Sequence, residues 1–271
     1  MNDDQKRAHP HDVWVSGDAY ERFVGRWSRL VAREFLNWLS VASNSHWIDV
    51  GCGTGALSQT ILALAAPAQV KGIDRSDGFV ARAREQVQDS RASFEVGDAQ
   101  ALPDEAARYD AAVSGLALNF IPQPDRAVSE MTRVVKPGGL VAAYVWDYAG
   151  KMQLLRHFWD AAAALDPLAR ELDEGRRFPI CQPNPLRELF QNAGLRDVEV
   201  RPLDIATDFR DFDDYWTPFL GGQGPAPGYA MSLSAEQRSA LRERIRIGLP
   251  FALDGSIPLV ARAWTVRGFA L

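Results

Sequence analysis

Short apolar segments alternate with amphipathic helical segments through the first half of this chain. Five apolar runs have the length of strands, at residues 46–50, 70–73, 92–96, 109–114 and 140–146. Helical spacing of apolar residues is found between most of them, at residues 56–65, 78–87 and 125–135. Repeated strand–helix units form parallel sheets covered by helices on both faces, because the crossovers are right-handed. The alternation therefore predicts a doubly wound α/β fold.

The pattern changes after residue 147. After this residue, helices are predicted at residues 152–165, 185–193 and 235–247, and two further strands at residues 196–206 and 259–269. Another helix is predicted before the first strand, at residues 28–39. Residues 166–183 contain prolines without an apolar period and are expected to form a loop. Residues 221–224, which contain three glycines, are expected to be the most mobile part of the chain.

The strongest functional signal is the segment Asp49-Val50-Gly51-Cys52-Gly53-Thr54-Gly55. A strand runs directly into three glycines at alternate positions, and a helix follows. Glycine allows the backbone to turn with positive φ and allows a ligand to lie against the main chain. The N-terminus of the helix is expected to present unpaired N–H groups to that ligand. The segment therefore predicts a ligand-binding loop.

The ends of the next three strands carry acidic or small residues. Asp74 ends the second strand, where a carboxylate can accept hydrogen bonds from ribose hydroxyls. Asp98 ends the third strand, where an adenine amine would seek an acceptor, and Ser114-Gly115 at the fourth would permit close approach. Because ligands bind at the carboxyl edge of open α/β sheets, these residues predict a nucleoside cofactor there.

On these residues the chain resembles the class I S-adenosylmethionine-dependent methyltransferases, in the small-molecule branch that includes ubiquinone- and menaquinone-biosynthesis-like enzymes. Residues 109–114 resemble the fourth-strand motif, and residues 133–139 resemble the turn before the fifth strand. The resemblance implies a mostly parallel seven-stranded sheet of order 3-2-1-4-5-7-6, with strand 7 antiparallel and with helical cap insertions.

The resemblance also implies four segments. Residues 1–45 would be a leader with lid helices, residues 46–148 a Rossmann-like core that binds the cofactor, residues 149–195 a first cap insertion with its helix, and residues 196–271 the last strands with a second cap insertion at 211–250. The two insertions are expected to meet above the fourth and fifth strands and enclose the methyl acceptor. The alternative is that they extend the core or form a dimer contact.

The cofactor implied by the resemblance is S-adenosyl-L-methionine. Tyr20 would face its methionine end, Arg26 would pair with its carboxylate and Asp49 would bind its amino group. The full set of expected cofactor-binding residues is Tyr20, Arg26, Asp49, Gly51, Cys52, Gly53, Gly55, Asp74, Arg75, Asp98, Ala99, Gln100, Ser114 and Gly115.

No catalytic residue is identified, and methyl transfer does not require one. The sulfonium methyl group is already electrophilic, and alignment of two reactants alone contributes about 7–11 kcal/mol. Asn119, Asp147 and Tyr148 lie close to the expected region of methyl transfer, whereas His157, beside two aromatic residues, is expected to be a packed or surface residue. Aromatic residues in the two insertions favour an apolar or aromatic small-molecule acceptor.

Composition excludes several classes of partner. The net charge of −5 argues against a nucleic-acid partner, and no Asn/Asp-Pro-Pro-Tyr run, which marks nucleic-acid base methylation in the resembling families, follows the fourth strand. No apolar run approaches the roughly 20 residues that span a membrane. Two cysteines indicate a reducing compartment, and we expect a cytoplasmic protein without a metal site. The oligomeric state is unknown from the sequence.

Two alternative functions are compatible with the glycine segment. Gly51-x-Gly53-x-x-Ala56 matches a dinucleotide fingerprint, and Asp74 lies at the distance of its ribose acid, which would suit an NAD(P)-dependent oxidoreductase. Asp49 and Asp98-Ala99 have no role in the recognition of a dinucleotide. A non-catalytic protein that binds S-adenosylmethionine is the second alternative, and turnover would distinguish it from an enzyme.

Overall fold

One seven-stranded sheet forms the centre of the protein. The computed structural model describes residues 25–222 and 224–271, so Tyr20 lies outside the described residues. The strands are β1 (His46–Val50), β2 (Gln69–Asp74), β3 (Ala92–Val96), β4 (Tyr109–Gly115), β5 (Val135–Trp146), β6 (Arg196–Ala206) and β7 (Val260–Phe269). Their order in the sheet is β3-β2-β1-β4-β5-β7-β6. The order predicted from the resemblance is confirmed.

The directions of the strands place four loops at one edge of the sheet. β1 runs parallel to β2 and β4, β2 runs parallel to β3, and β4 runs parallel to β5. β7 is antiparallel to both β5 and β6, as predicted. The glycine segment after β1 and the acids at the ends of β2 and β3 therefore share the carboxyl edge with the end of β4.

Ten α-helices are found among the described residues, together with three short 3₁₀ helices. The α-helices are α1 (Arg26–Leu39), α2 (Ala56–Leu64), α3 (Asp77–Gln86), α4 (Pro124–Val134), α5 (Gln153–Leu165), α6 (Glu174–Arg177), α7 (Pro183–Asn192), α8 (Phe212–Trp216), α9 (Pro225–Ser232) and α10 (Ala235–Gly248). None of these helices combines the length and the apolar character needed to cross a bilayer.

The central strands are buried on both faces, which explains their continuous apolar sequences. Ile48, Val113 and Val141 are completely inaccessible to solvent. The apolar stripe of α1, including Val31 and Phe35, packs against α2, β6 and β7. Burial on two faces is typical of parallel sheets covered by helices, because each face needs its own apolar layer.

The segment at residues 166–183 differs from the predicted loop. It contains a 3₁₀ helix at Pro167–Glu171 and the four-residue helix α6. Asp166 and Asp173 cap them, because their side chains accept hydrogen bonds from Leu168 N and Gly175 N. Such short helices are set by their caps and their packing, so they show no apolar period in the sequence.

The two insertions pack against each other through aromatic rings. Phe158 of α5 stacks on Phe219 with ring centroids 4.6 Å apart, and Trp159 lies 5.7 Å from Tyr229 of α9. The Tyr215 hydroxyl donates a hydrogen bond to the backbone oxygen of Leu154, at 2.7 Å. Phe158 and Phe219 are fully buried. These rings therefore extend the apolar core.

Candidate functional site

The glycine segment is folded onto β2 by its own backbone. Gly51 N and Cys52 N both donate to Ile73 O, at 2.8 and 3.0 Å, and Gly55 N donates to Cys52 O at 2.9 Å. Gly53 N donates to Asp74 Oδ2 at 3.0 Å. These four N–H groups of the loop are therefore bonded within the protein, and the expectation of unpaired N–H groups, which concerns the start of the following helix, stays a prediction. The loop offers a ligand space against its backbone instead of free donors.

The three glycines of the loop have positive φ but different surroundings. A Cβ on Gly51 would lie 2.5 Å from Ala117 Cβ, and one on Gly55 would lie 3.0 Å from Val87 Cγ2. A Cβ on Gly53 would meet no atom of the described residues within 4 Å. Gly51 and Gly55 are thus required by packing within the protein, and Gly53 faces the open side of the loop.

Asp49 is a buried carboxylate that is only half satisfied. Ser58 Oγ donates to its Oδ2 at 2.7 Å, and the Ser58 backbone N–H at the start of α2 also donates to it. Its second oxygen, Oδ1, is buried and has no hydrogen-bond partner among the residues that the structure describes. Burial raises the pKa of Asp49 from 3.8 to about 7. A cation beside Oδ1 would compensate for the hydration that the carboxylate loses on burial.

Asp74 joins the glycine loop to the turn after β2. Its two oxygens accept hydrogen bonds from Gly53 N and, at 2.9 Å, from Ser76 N. Burial raises the pKa of Asp74, and these hydrogen bonds and Arg75 oppose the shift. Because a carboxylate has about four acceptor positions, two remain for a ligand's hydroxyl groups.

The turn after β3 is connected both to β2 and to the segment after β4. Gly97 N donates to Asp74 O, at 3.0 Å. Asp98 Oδ1 accepts from Gln100 N at 2.9 Å, and Gln100 Oε1 accepts from Gln123 N at 3.1 Å. The hydrogen bonds from the backbone and the side chain of Gln100 lower the pKa of Asp98. Ala99 lies between them, half-buried. The structure thus brings this turn to the same sheet edge as the glycine loop.

The end of β4 differs in part from the prediction. Ser114 Oγ is buried without a partner and lies 4.0 Å from the position of a Cβ on Gly51. A Cβ on Gly115 would lie 2.5 Å from the Tyr144 hydroxyl. The Tyr144 side chain of the neighbouring strand, and not a ligand, therefore approaches Gly115 closely. Packing against Tyr144 explains why position 115 carries no side chain.

Two further predicted residues are held by the protein itself. Arg26 Nη1 donates to Asp214 Oδ1 of α8 at 2.9 Å, and its guanidinium lies 4.6 Å from the Phe209 ring centre. Its Nε and Nη2 are buried without partners. The Cys52 side chain is buried, and its Sγ lies 3.0 Å from the position of a Cβ on Gly72. The Cys52 side chain is therefore part of the packing, and Arg26 retains Nε and Nη2 as donors for an anion.

A group of aromatic rings stands at the ends of β4 and β5. The Phe120 ring lies 5.2 Å from that of Phe178, which lies 5.9 Å from that of Tyr148. Phe120 and Phe178 are only partly buried, whereas Trp146 is part of the core. Phe178 belongs to the first insertion, so that insertion covers the carboxyl edge here. We call Phe120, Tyr148 and Phe178 the edge rings.

Glu174 is a buried acid that the sequence analysis did not identify. Glu174 is 2% exposed, and Trp159 Nε1 donates a hydrogen bond to its Oε2. Burial raises the pKa of Glu174 to about 7. An Asp-Glu pair in a segment without an apolar period carries no signal of burial, so only the tertiary contact with α5 reveals it. Among the described residues, no cluster of three or more His, Cys, Asp or Glu side chains is suited to a metal ion.

Comparison with known proteins gives consistent results. A family model described as a methyltransferase domain matches residues 48–143. The demethylmenaquinone methyltransferase of Symbiobacterium thermophilum is 33% identical over 212 residues, which cover 68% of this chain and 81% of that protein. The enzyme of the same name from Desulfitobacterium hafniense is 36% identical over 175 residues, which cover 58% of this chain and 68% of that protein.

A solved structure has a similar fold. It is the phosphoethanolamine N-methyltransferase 2 of Haemonchus contortus, in complex with phosphomonomethylethanolamine and S-adenosylhomocysteine. The TM-score is 0.58 at 17% identity, and the match covers 93% of this chain and 56% of that one. At this level of identity the likeness concerns the fold alone.

Proposed function

We propose that this chain, which belongs to the S-adenosylmethionine-dependent methyltransferases, methylates a hydroxylated aromatic ring. Its relatives at 33% and 36% identity place it in that family. It is therefore an enzyme that binds S-adenosylmethionine and transfers the methyl group to a small molecule, and neither alternative function is supported. The proposal concerns the residues that hold the cofactor and the nature of the acceptor.

The residues at the carboxyl edge suit the cofactor. The open side of Gly53 provides the surface on which it lies, and the unpaired Oδ1 of Asp49 suits the ammonium group of its methionine portion. Asp74 would accept the ribose hydroxyls, and residues 98–100 would bind the adenine. Bound there, the sulfonium supplies an electrophilic methyl group. Tyr20 and Arg75 stay predictions, as does Arg26 at the methionine carboxylate.

The edge rings carry the proposal about the acceptor. They lie at the ends of β4 and β5, and Ala117, three residues before Phe120, packs against Gly51 of the glycine loop. A flat apolar acceptor would pack against such rings, and their faces also attract a sulfonium, by about 0.5–2 kcal/mol. The two relatives reported above are named for a quinone, which supports an aromatic acceptor here.

Turnover with matched acceptors tests this function. We expect 1-naphthol and catechol to release S-adenosylhomocysteine with a kcat/KM at least about 5-fold above that of cyclohexanol, because packing of a planar ring against the edge rings contributes about 1 kcal/mol. Reactions without an acceptor measure the background. Preference for an aliphatic amine, with no turnover of either phenol, would contradict the proposal.

Cofactor affinity should depend on pH through Asp49. Burial raises its pKa to about 7, so the carboxylate that attracts the ammonium group is lost as the pH falls through that value. We expect the affinity for S-adenosylhomocysteine to fall nearly tenfold per pH unit below about 7 and to be constant just above it. Calorimetric titrations between about pH 5.5 and 8 measure this slope.

Asp49→Asn is the control variant for this dependence of affinity on pH. It should bind the product more weakly at pH 8 and show no slope, since its amide does not titrate. The folded-state pKa exceeds the ordinary 3.8, so this group makes the free protein less stable as the pH rises from about 4 to about 7. The variant should lack that loss of stability. A slope that persists in Asp49→Asn would show that another group is responsible.

A further inference from the structure

We propose that the Asn119 carboxamide binds the hydroxyl group of the methyl acceptor and thereby selects hydroxylated rings. The inference rests on the proposed function, because it assigns a recognition residue to the same acceptor. It starts from a buried polar side chain whose hydrogen-bonding groups find no partner among the described residues.

Both polar atoms of the Asn119 side chain lack a partner. The side chain is 8% exposed, and neither Nδ2 nor Oδ1 makes a hydrogen bond within residues 25–222 and 224–271. An unsatisfied buried donor or acceptor destabilises the fold, whereas an apolar side chain of similar shape avoids that penalty. Buried polar groups are nearly always paired, so two unpaired atoms on one amide indicate a partner that joins from outside.

The position of Asn119 indicates that this partner is the methyl acceptor. It lies in the 3₁₀ helix Leu118–Phe120, directly after β4. On one side of this helix, Ala117 packs against Gly51 of the glycine loop. At its other end, Phe120 contacts Phe178 of the first insertion. Asn119 therefore lies between the residues assigned to the cofactor and the edge rings assigned to the acceptor.

The chemistry of a carboxamide matches that of a phenol. Oδ1 accepts a hydrogen bond from the phenol O–H, and Nδ2 donates to a phenol oxygen. Acceptance of the O–H raises the electron density on the oxygen and on the ring carbons beside it, which are the atoms able to attack a methyl group. The new bond joins one of them to the methyl carbon, the S–CH₃ electron pair stays on sulfur, and the acceptor's proton leaves to solvent. Asn119 binds and orients the ring but takes no proton.

Binding of two probes to the protein loaded with S-adenosylhomocysteine tests the assignment. The probes are 1-naphthol and naphthalene, which differ by the hydroxyl group alone. In Asn119→Leu we expect 1-naphthol to bind at least about 10-fold more weakly and naphthalene to bind as in the wild type, because only the hydroxyl loses its partner. The cofactor product should bind with unchanged affinity in both proteins.

Thr207→Val is the matched control. Thr207 is 1% exposed, its Oγ1 is buried without a partner, and it follows β6, three strands from β4. Valine replaces it at the same volume, so this variant also removes an unsatisfied buried atom. Both probes should bind to it as to the wild type. If leucine at position 119 disturbs folding, Asn119→Ala gives the same comparison with a shorter side chain.

The outcomes separate this inference from the proposed function. Equal binding of 1-naphthol to wild type and Asn119→Leu would overturn the role of Asn119 and leave the aromatic acceptor intact. Equal weakening of both probes would show that position 119 matters for shape alone, which also overturns it. A wild type that binds S-adenosylhomocysteine but neither probe would overturn the proposed acceptor, and this inference with it.

Discussion

Replacement of Gly53 by valine is expected to lower the affinity for S-adenosylhomocysteine by at least about 100-fold, or about 2.7 kcal/mol, while the chain remains folded. A Cβ at this position meets no atom within 4 Å in the part of the chain that the structure describes, so the added side chain does not collide with that part of the fold. It would instead occupy the space in which the proposal places the ligand against the backbone. Calorimetry measures the affinity, and circular dichroism with thermal unfolding shows whether the fold is retained.

Backbone strain is the other effect of this substitution, and Gly138→Val controls for it. Gly53 has φ of +53° and Gly138 has φ of +75°, and neither has an atom within 4 Å of an added Cβ. Gly138 lies near the amino end of β5, at the opposite edge of the sheet. Both variants should lose about 1–2 kcal/mol of folding stability, the cost of left-handed backbone for a residue with a side chain. Only Gly53→Val should lose affinity, and normal binding by it would place the cofactor elsewhere.

The sheet was largely predictable because burial leaves a pattern in the sequence. The observed bounds of β1, β3 and β6 are those predicted, at residues 46–50, 92–96 and 196–206. β5 begins at Val135, five residues before the predicted start, because Val135 pairs with Tyr109 ahead of an irregularity in the register. Residues 136–139 are rich in glycine and proline, so propensity alone argues against a strand there.

The sequence predicts which residue types lie at the candidate site, but it predicts less well which residues they contact. The glycine loop, Asp74 and Asp98 do meet at one edge, because the carboxyl ends of parallel strands are adjacent. The ion pair between Arg26 and Asp214 joins residues 188 positions apart, and no local pattern specifies such a partner. The sequence analysis also did not predict that Asp49 accepts a hydrogen bond from Ser58 at the start of α2. An acid before a glycine loop is interpreted first as a ligand-binding group.

Asp74→Ala is expected to weaken binding of S-adenosylmethionine and S-adenosylhomocysteine by the same factor, about 10–150-fold or about 1.5–3 kcal/mol. The ribose hydroxyls are held in the same way before and after methyl transfer, so cofactor and product lose the same hydrogen bonds. The substitution also frees Gly53 N and Ser76 N, which Asp74 holds at 3.0 and 2.9 Å. Calorimetry with each ligand measures the two losses.

The neighbouring turn offers the control that separates recognition of the ribose from damage to the loop. Ser76 caps α3 by accepting a hydrogen bond from Phe79 N at 3.3 Å. Ser76→Ala should therefore cost about 1 kcal/mol of stability and leave both affinities unchanged. If Ser76→Ala weakens binding as much as Asp74→Ala does, the carboxylate acts by shaping the turn. If Asp74→Ala slows turnover at saturating cofactor without weakening binding, Asp74 does not hold the ribose, because a group that binds cofactor and product equally affects affinity alone.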